Sequence, residues 1–380
     1  MNPFQFNPGS ERIQTACKRL ADAYARKPQE VVPVVENGGF RSPYSVKERF
    51  DDLDKMLDHS VKYANFLAST DNDWPPYLDT YCTVTMVPEA FGCEIVLREG
   101  YDLAAHPAIH DIEKVWTLKP RRMEETPTIR RLFEWIDHAQ KKLGTEVPFW
   151  TADIQSPFSV AAQIVDAQEL FAACIEAPKT VHHLCRMITD YSIEFMRKHL
   201  AQMENAAFPG RNFPSIPGLS GICIADDTPL VMLNPRMYRE FAFPYNAELG
   251  RAFGGIYLHS CGNYRCNLDN LLDLPDLRAI QVHAGPGEFP LPASAAEDDP
   301  FNRARQKAAC FVDANDVTRG DRYKDRPKAH YEEYVLPRLK QGDMTGIILQ
   351  SCGIGGDIPD VETALRWTRS RLQPGRKGGG

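Results

Sequence analysis

The chain has 380 residues, 43% apolar, 25% charged and 10% aromatic, enough to bury one large core and unlike disordered, collagen-like or small disulfide-stapled chains. Its formal net charge of −7, from 44 Lys+Arg against 51 Asp+Glu, carries no basic stripe, which argues against a nucleic-acid partner. No run approaches the ~20 apolar residues of a membrane span, and the opening MNPFQFNPGSERIQ lacks a basic or apolar signal region, so the expected compartment is the cytoplasm, with most of the ten cysteines as thiols.

In chain order, short apolar runs alternate with helical ones. The expected strands are residues 31–36, 80–87, 148–154, 221–226, 255–259, 278–283, 308–313 and 346–350. Between them, Thr126-Pro127 caps a helix whose apolar positions Ile129, Leu132, Phe133, Ile136 and Leu143 run to Gly144. Pro178 opens another helix, Asn234-Pro235 a third through Tyr238, Phe241 and Tyr245, and Pro359 the last. The polar segment 291–305 reads as a surface loop. Eight strands interleaved with helices predict the α/β class and a single (β/α)8 TIM-type barrel over residues 31–374. An N-terminal helical extension (1–30) precedes it and a disordered tail (375–380) follows; an open doubly wound sheet is the alternative.

The strongest chemical signal is GIYLHSCGN at residues 255–263, where a strand runs into His259 and Cys261. Residues i and i+2 of a strand share a face, and near the C-terminal end of a barrel strand that face is the mouth. A second strand ends alike, in Ser351, Cys352 and Gly353, so Cys352 can converge on the same pocket. One imidazole and two thiolates make a three-ligand zinc site with an open fourth position, the arrangement that catalytic zinc uses. The competing reading makes all three core residues, since free cysteines are commonly buried. The glycine after each cysteine and the repeat of Ser-Cys-Gly on two strands favour the site.

Together with SPFSVAAQI, APKTVHHLCRMITDY and DDTPLVMLNPRMYREFAFPY, these motifs resemble the uroporphyrinogen decarboxylase superfamily from about residue 153 to 372. Within it, the chain is most similar to the zinc-dependent methylcobamide:thiol (coenzyme M type) methyltransferases, whose H-x-C…C signature falls on His259, Cys261 and Cys352. The resemblance implies transfer of a methyl group between a corrinoid (cobamide) protein and a small thiol, or a methoxylated or methylthio substrate. Zn2+ would be the metal. A separate protein would supply the corrinoid, because no D-x-H-x-x-G motif occurs here. The arginine-rich R-Q-A-G-R motif that grips carboxylates in true uroporphyrinogen decarboxylases is missing, which makes a cofactor-free decarboxylase the alternative. A non-catalytic zinc-binding barrel is the second alternative. Direction of transfer and oligomeric state stay open.

Further candidates for catalysis or substrate binding carry competing readings. Asp226 and Asp227 end a strand where the family has an acidic residue near substrate, but either can be an N-cap. His283 stands where relatives carry an acid, as extra ligand, base or packed histidine. Glu89 falls near a family glutamate and equally suits a helix cap. Cys266 is a rival ligand expected to point away, His182-His183 a half-buried helical pair, and the GIGGD turn at residues 353–357 a weak anion site.

Overall fold

The computed structural model describes residues 3–5, 7, 9–80, 84–97, 103–283, 298–313, 323, 325–339 and 344–372. Seven parallel strands form the main sheet: β1 (Val34–Val35), β5 (Ile154–Gln155), β7 (Ile222–Ala225), β8 (Ile256–His259), β9 (Leu277–His283), β10 (Ala309–Asp313) and β11 (Ile347–Gln350). They lie in the order β1, β11, β10, β9, β8, β7, β5. Short pairs flank this sheet: β2 (Glu94–Leu97) with antiparallel β3 (Leu103–His106), and β4 (Phe149–Trp150) with parallel β6 (Ala206–Ala207).

The remaining barrel position is held without a regular strand. Asp73 N donates to Val34 O at 3.2 Å, and Leu78 bridges Phe149, so residues 73–78 link β1 to β4 and close the ring. The strand expected over 80–87 is therefore displaced. Its residues 81–83 lie outside the described residues, and Met86–Ala90 form helix α4. Pro88 fits the first turn of a helix but removes a ladder donor from a strand, so local chemistry favours the helix. The other seven expected strands are present, several shorter than the apolar run that announced them.

Alternation along the strands sorts apolar side chains into two sets. Val35, Cys223, Tyr257, Ala279, Ala309, Phe311 and Ile348 share an inner cluster, while Ile222, Ile224, Ile256, Leu258, Ile280, Val282, Ile347 and Leu349 pack outward under helices. Helix α1 (Glu11–Tyr24) contributes Leu20, Ala23 and Tyr24 to the inner set. It plugs the end where strands begin: Gly346, just before β11, lies against Ala23 and Arg26, and the Tyr24 hydroxyl donates to Pro214 O at 2.9 Å. With the bottom filled, the strand ends at the top are the accessible rim.

The outer layer follows the sequence signals. Helix α2 (Val46–Asp51) has a capping box between Ser45 and Glu48 and leads into α3 (Leu53–Ala68). Helix α5 (Pro127–Leu143) starts at Pro127 and stops at Gly144; α6 (Pro157–Ile164), α7 (Ala167–Glu176) and α8 (Pro178–Gln202) follow. After α9 (Asp227–Met232), the expected helix from Pro235 is two, α10 (Pro235–Phe241) and α11 (Phe243–Phe253), because Pro244 disfavours continuation through the residues before it. Helix α12 (Leu268–Leu272) precedes β9. Within the segment expected to be a loop, residues 291–297 lie outside the described residues, while α13 (Pro300–Lys307) forms behind an Asp299 side chain that accepts from Phe301 N. Helices α14 (Pro327–His330) and α15 (Leu336–Leu339) flank a π-turn, and α16 (Val361–Leu372) covers β11 and β1. No helix among the described residues is long and apolar enough to cross a membrane.

Candidate functional site

Parallel pairing sets Ala225 beside His259 and His283 beside Asp313. The inward parity that buries Tyr257 and Ala279 below carries His259, Gln281, His283 and Asp313 into the top layer. Just past β8, Cys261 joins them. The ligand atoms of His259, Cys261 and His283 all lie within 4.8 Å of one another, and Cys261 Sγ is 3.2 Å from His259 Nε2. The Asp227 carboxylate accepts from Cys261 N at 2.5 Å and fixes the turn that presents the sulfur.

The surroundings set the charges. Burial opposes a charged His259, but the hydrogen bond with Cys261, the negative charge of Cys261 and Asp227, and the bond to Gln281 outweigh it and hold the imidazole up at about 9. The two imidazoles, His259 foremost, bring the Cys261 thiol down to about 7. Without metal the pair is therefore predominantly an imidazolium and a thiolate between about pH 7 and 9. His283 is also raised, with burial overcome by Cys261 and Asp313; both of its ring nitrogens are buried without a hydrogen-bond partner. Such unmet nitrogens beside a thiolate suit a metal ligand.

Behind the cluster, Gln281 Oε1 lies 2.5 Å from His259 Nδ1, while Gln281 Nε2 donates to Asp313 Oδ2 at 2.7 Å. Asp313 Oδ2 is 3.7 Å from His283 Nδ1. One carboxylate thus stands behind both imidazoles: it lies near His283 without a hydrogen bond to it, and it supports His259 through the Gln281 amide, as outer partners support metal-bound histidines. Gln281 and Asp313 went unremarked in the sequence, although both lie on the inward period of expected strands. Asp153 was missed for another reason. It sits in the irregular stretch between β4 and β5, where it accepts from Arg211 N and Asn212 N, each at 2.8 Å. Burial raises it to about 6 against the pull of His259 and Arg211.

The remaining candidates disperse. Cys352 is fully buried in the outer core: its Sγ lies 3.7 Å from Gly353 O and 3.9 Å from Ala364 O of α16, and its N–H donates to Thr368 Oγ1. Strand parity predicts an inward sulfur, but β11 ends at Gln350, and Gly353 at φ 74° turns the chain toward α16. Asp226 faces outward, accepting from the Tyr238 hydroxyl at 2.7 Å and Asn246 Nδ2 at 2.9 Å; burial raises it to about 7. Glu89 accepts from Thr128 N and Oγ1 at 2.8 and 2.6 Å and so caps α5. Cys266 turns its sulfur toward Leu230 O, His182 bonds the Tyr245 hydroxyl, and His183 stacks on Trp116.

A cavity of about 400 Å3 lies under α2 and α3, lined among others by His59, Tyr63, Trp74, Asp79, Trp150 and Arg211. Two of its lining residues, Arg211 and Asn212, donate their backbone N–H groups to Asp153, whose carboxyl also feels the charge of His259.

A parallel barrel plugged at the bottom, with a thiolate and two imidazoles at the strand ends, is a TIM-barrel protein whose reactive groups stand at the rim where this fold carries its chemistry. The chain belongs to the uroporphyrinogen decarboxylase (URO-D) family, whose model matches residues 78–286, more than half its length. A curated relative, the uroporphyrinogen decarboxylase of Xanthomonas axonopodis pv. citri (strain 306), is 23% identical over 177 residues, 45% of each chain. The match thus spans less than half the length of that relative. Among solved structures, a methyltransferase from Methanosarcina mazei superposes with a TM-score of 0.66 at 19% identity, over 94% of this chain and 99% of that one, a likeness of fold.

Proposed function

We propose that this protein is a methyltransferase that moves a methyl group between a corrinoid carried by a separate protein and a small thiol, methoxylated or methylthio substrate, using Zn2+ at the barrel mouth. The observation that carries the reading is the convergence of His259, Cys261 and His283, with the thiol lowered to about 7. Two nitrogens and one soft sulfur suit zinc, and three protein donors leave a fourth position for substrate. When bound, zinc would hold a substrate thiol as thiolate or polarise a methylated heteroatom. The chain itself positions the donors: Asp227 fixes the Cys261 turn, and Gln281 and Asp313 orient the imidazoles. In this reading His259 and Cys261 are two of the donors, as proposed from the sequence, and His283 takes the part proposed there for Cys352. Cys352 enters the set only if the turn at Gly353 swings its sulfur off α16.

Metal analysis and corrin absorbance test this together. One zinc per chain is expected, largely lost in His259→Ala and Cys261→Ser; loss in His283→Ala but not in Cys352→Ser identifies the third donor. The zinc-loaded protein should change the absorbance of methylcob(III)alamin with a thiol, or of cob(I)alamin with a methoxylated or methylthio compound, and His259→Ala should abolish the change. Full zinc retention in both ligand variants would falsify the assignment.

Decarboxylation is the second reading, favoured by family membership and by a mouth carboxylate, Asp153, held at about 6. Asp226, one of the acids expected to serve it, is turned away toward Tyr238 and Asn246. Turnover of a porphyrinogen without zinc, lost in Asp153→Asn, would put this reading first.

A further inference from the structure

Of the three donors at the mouth, His259 and His283 stand on strands, where the ladder fixes the backbone beneath them, but Cys261 lies beyond the end of β8. Its place is set by α9, the helix that follows β7. Helix α9 buries Pro229 and Leu230 and meets the segment after β8 at three points. At its start, Asp227 accepts from Cys261 N. At its far end, the fully buried Asn267 donates from Nδ2 to Leu230 O at 2.9 Å and to Leu233 O at 2.8 Å, meeting carbonyls that a helix end leaves unpaired. Between these two, Val231 lies over Gly262: a Cβ built on Gly262 would stand 2.5 Å from Val231 Cγ2. The φ of Gly262 is outside the left-handed region, so the turn itself admits any residue, and what the position excludes is a side chain in the space that Val231 takes. Valine in a helix holds one χ1 rotamer, which makes its methyl a stiff stop. Val231 is nonetheless 44% exposed, an apolar side chain packed on this turn instead of in the core.

We propose that α9 is a clamp on the Cys261–Gly262 turn, and that Val231 and Asn267 are positioning residues for the Cys261 sulfur, acting through the turn and not by contact with metal or substrate. Asp227 pins one side of the turn by a hydrogen bond, Val231 blocks its movement toward α9, and Asn267 ties the helix back to the segment it holds. The sulfur is thereby kept 3.2 Å from His259 Nε2 and inside the 4.8 Å that spans the three donor atoms. A shift of about 0.5 Å in one donor is enough to spoil such a set, which is why the support around a metal ligand matters. The proposal deepens the zinc reading and rests on it for the metal, whereas the packing of α9 on the turn does not involve the metal.

Two measurements therefore separate clamp from metal: hydrogen exchange of the Cys261 amide, followed by NMR in chelator-treated protein, and zinc affinity, read by competition with a chromophoric chelator. Val231→Ala truncates a half-exposed side chain, a change that is near neutral at an ordinary surface position, yet it should speed exchange at Cys261 about fivefold and weaken zinc by a similar factor. Gly262→Ala drives a methyl into Val231 and should change both readouts by about tenfold or more, the range of substitutions around metal ligands. The double variant gains a methyl on the turn where the helix has lost two, so it should return to within about twofold of wild type on both readouts, a non-additivity that requires the two residues to touch. Asn267→Asp, which keeps the shape but loses the donor, should act like Gly262→Ala and should not be rescued by Val231→Ala. Additive effects of the two exchanged residues overturn the proposal, and so does wild-type exchange at Cys261 in Val231→Ala, a result that does not depend on Gly262→Ala folding. If exchange follows this pattern while the wild type holds no zinc, the clamp stands and the zinc reading falls.

Discussion

A thiol at about 7 beside an imidazole at about 9 loses its proton first, the reverse of the order of the free groups. The consequence is measurable in metal-free protein. With Cys266, also exposed, replaced by Ser, iodoacetamide should alkylate Cys261 with a midpoint near pH 7, and His259→Ala should move that midpoint up by about a unit or more. A wild-type midpoint near the ordinary thiol value of about 8.5 would show that the pair is not formed. Asp226 offers a test of opposite sense. Its carboxyl is raised to about 7 by burial, so folding favours the protonated form; this contribution is complete below the ordinary Asp range and is lost as pH rises through about 7. Asp226→Asn should flatten the pH dependence of stability between about pH 4 and 7 and leave the variant on the order of a few kcal/mol more stable than wild type at pH 8. Chemical denaturation at several pH values reads it, and an unchanged slope would refute it. At this scale His259 and Cys261 were legible because a strand's period of two does not depend on tertiary detail. Cys352 was misplaced because that period ends with the strand.

Elements announce themselves when their termini carry stereochemistry. Pro127, Pro178 and Pro235 each open a helix, and Gly144 closes one, as their backbone preferences dictate. Residues 80–87 misled because their β-branched and aromatic content suits a strand while Pro88 and the contacts of Leu78 assign the strand's place to 73–78. Helix α13 was missed because its buried apolar face is little more than Phe301 and Ala304, too few to show a period. Glu89 belongs to this scale also. Because it meets Thr128 N and Oγ1 from a buried position, Glu89→Ala should cost about 1–3 kcal/mol in thermal or denaturant unfolding and leave zinc content unchanged. Loss of zinc without loss of stability would return Glu89 to the mouth.

For the whole molecule, α1 is part of the barrel interior. Leu20 is fully buried in the inner cluster with Tyr257, Ala279 and Ala309, so Leu20→Ala should destabilise the protein by about 2–5 kcal/mol. The helix was legible within residues 1–30 but its docking was not, since a single amphipathic face does not say which cavity it fills. The same core predicts independence from metal: chelated protein should melt cooperatively, because the polar cluster at the rim adds little to an interior filled by two apolar layers. Loss of cooperativity on chelation would make the metal structural and favour a non-catalytic zinc barrel.

The amide of Gln281 has a sense of direction. Asp313 can only accept, so the amide's NH2 end must face it and its oxygen must face His259. That oxygen in turn requires a hydrogen on His259 Nδ1, which in the neutral ring leaves the Nε2 lone pair aimed at the Cys261 side. A carboxylate three residues deep in the network thereby selects one tautomer of a histidine it never touches. Gln281→Met would leave both tautomers open while Gln281→Glu would enforce the same one with added negative charge, so nitrogen chemical shifts of His259 should separate the two variants even where zinc content does not.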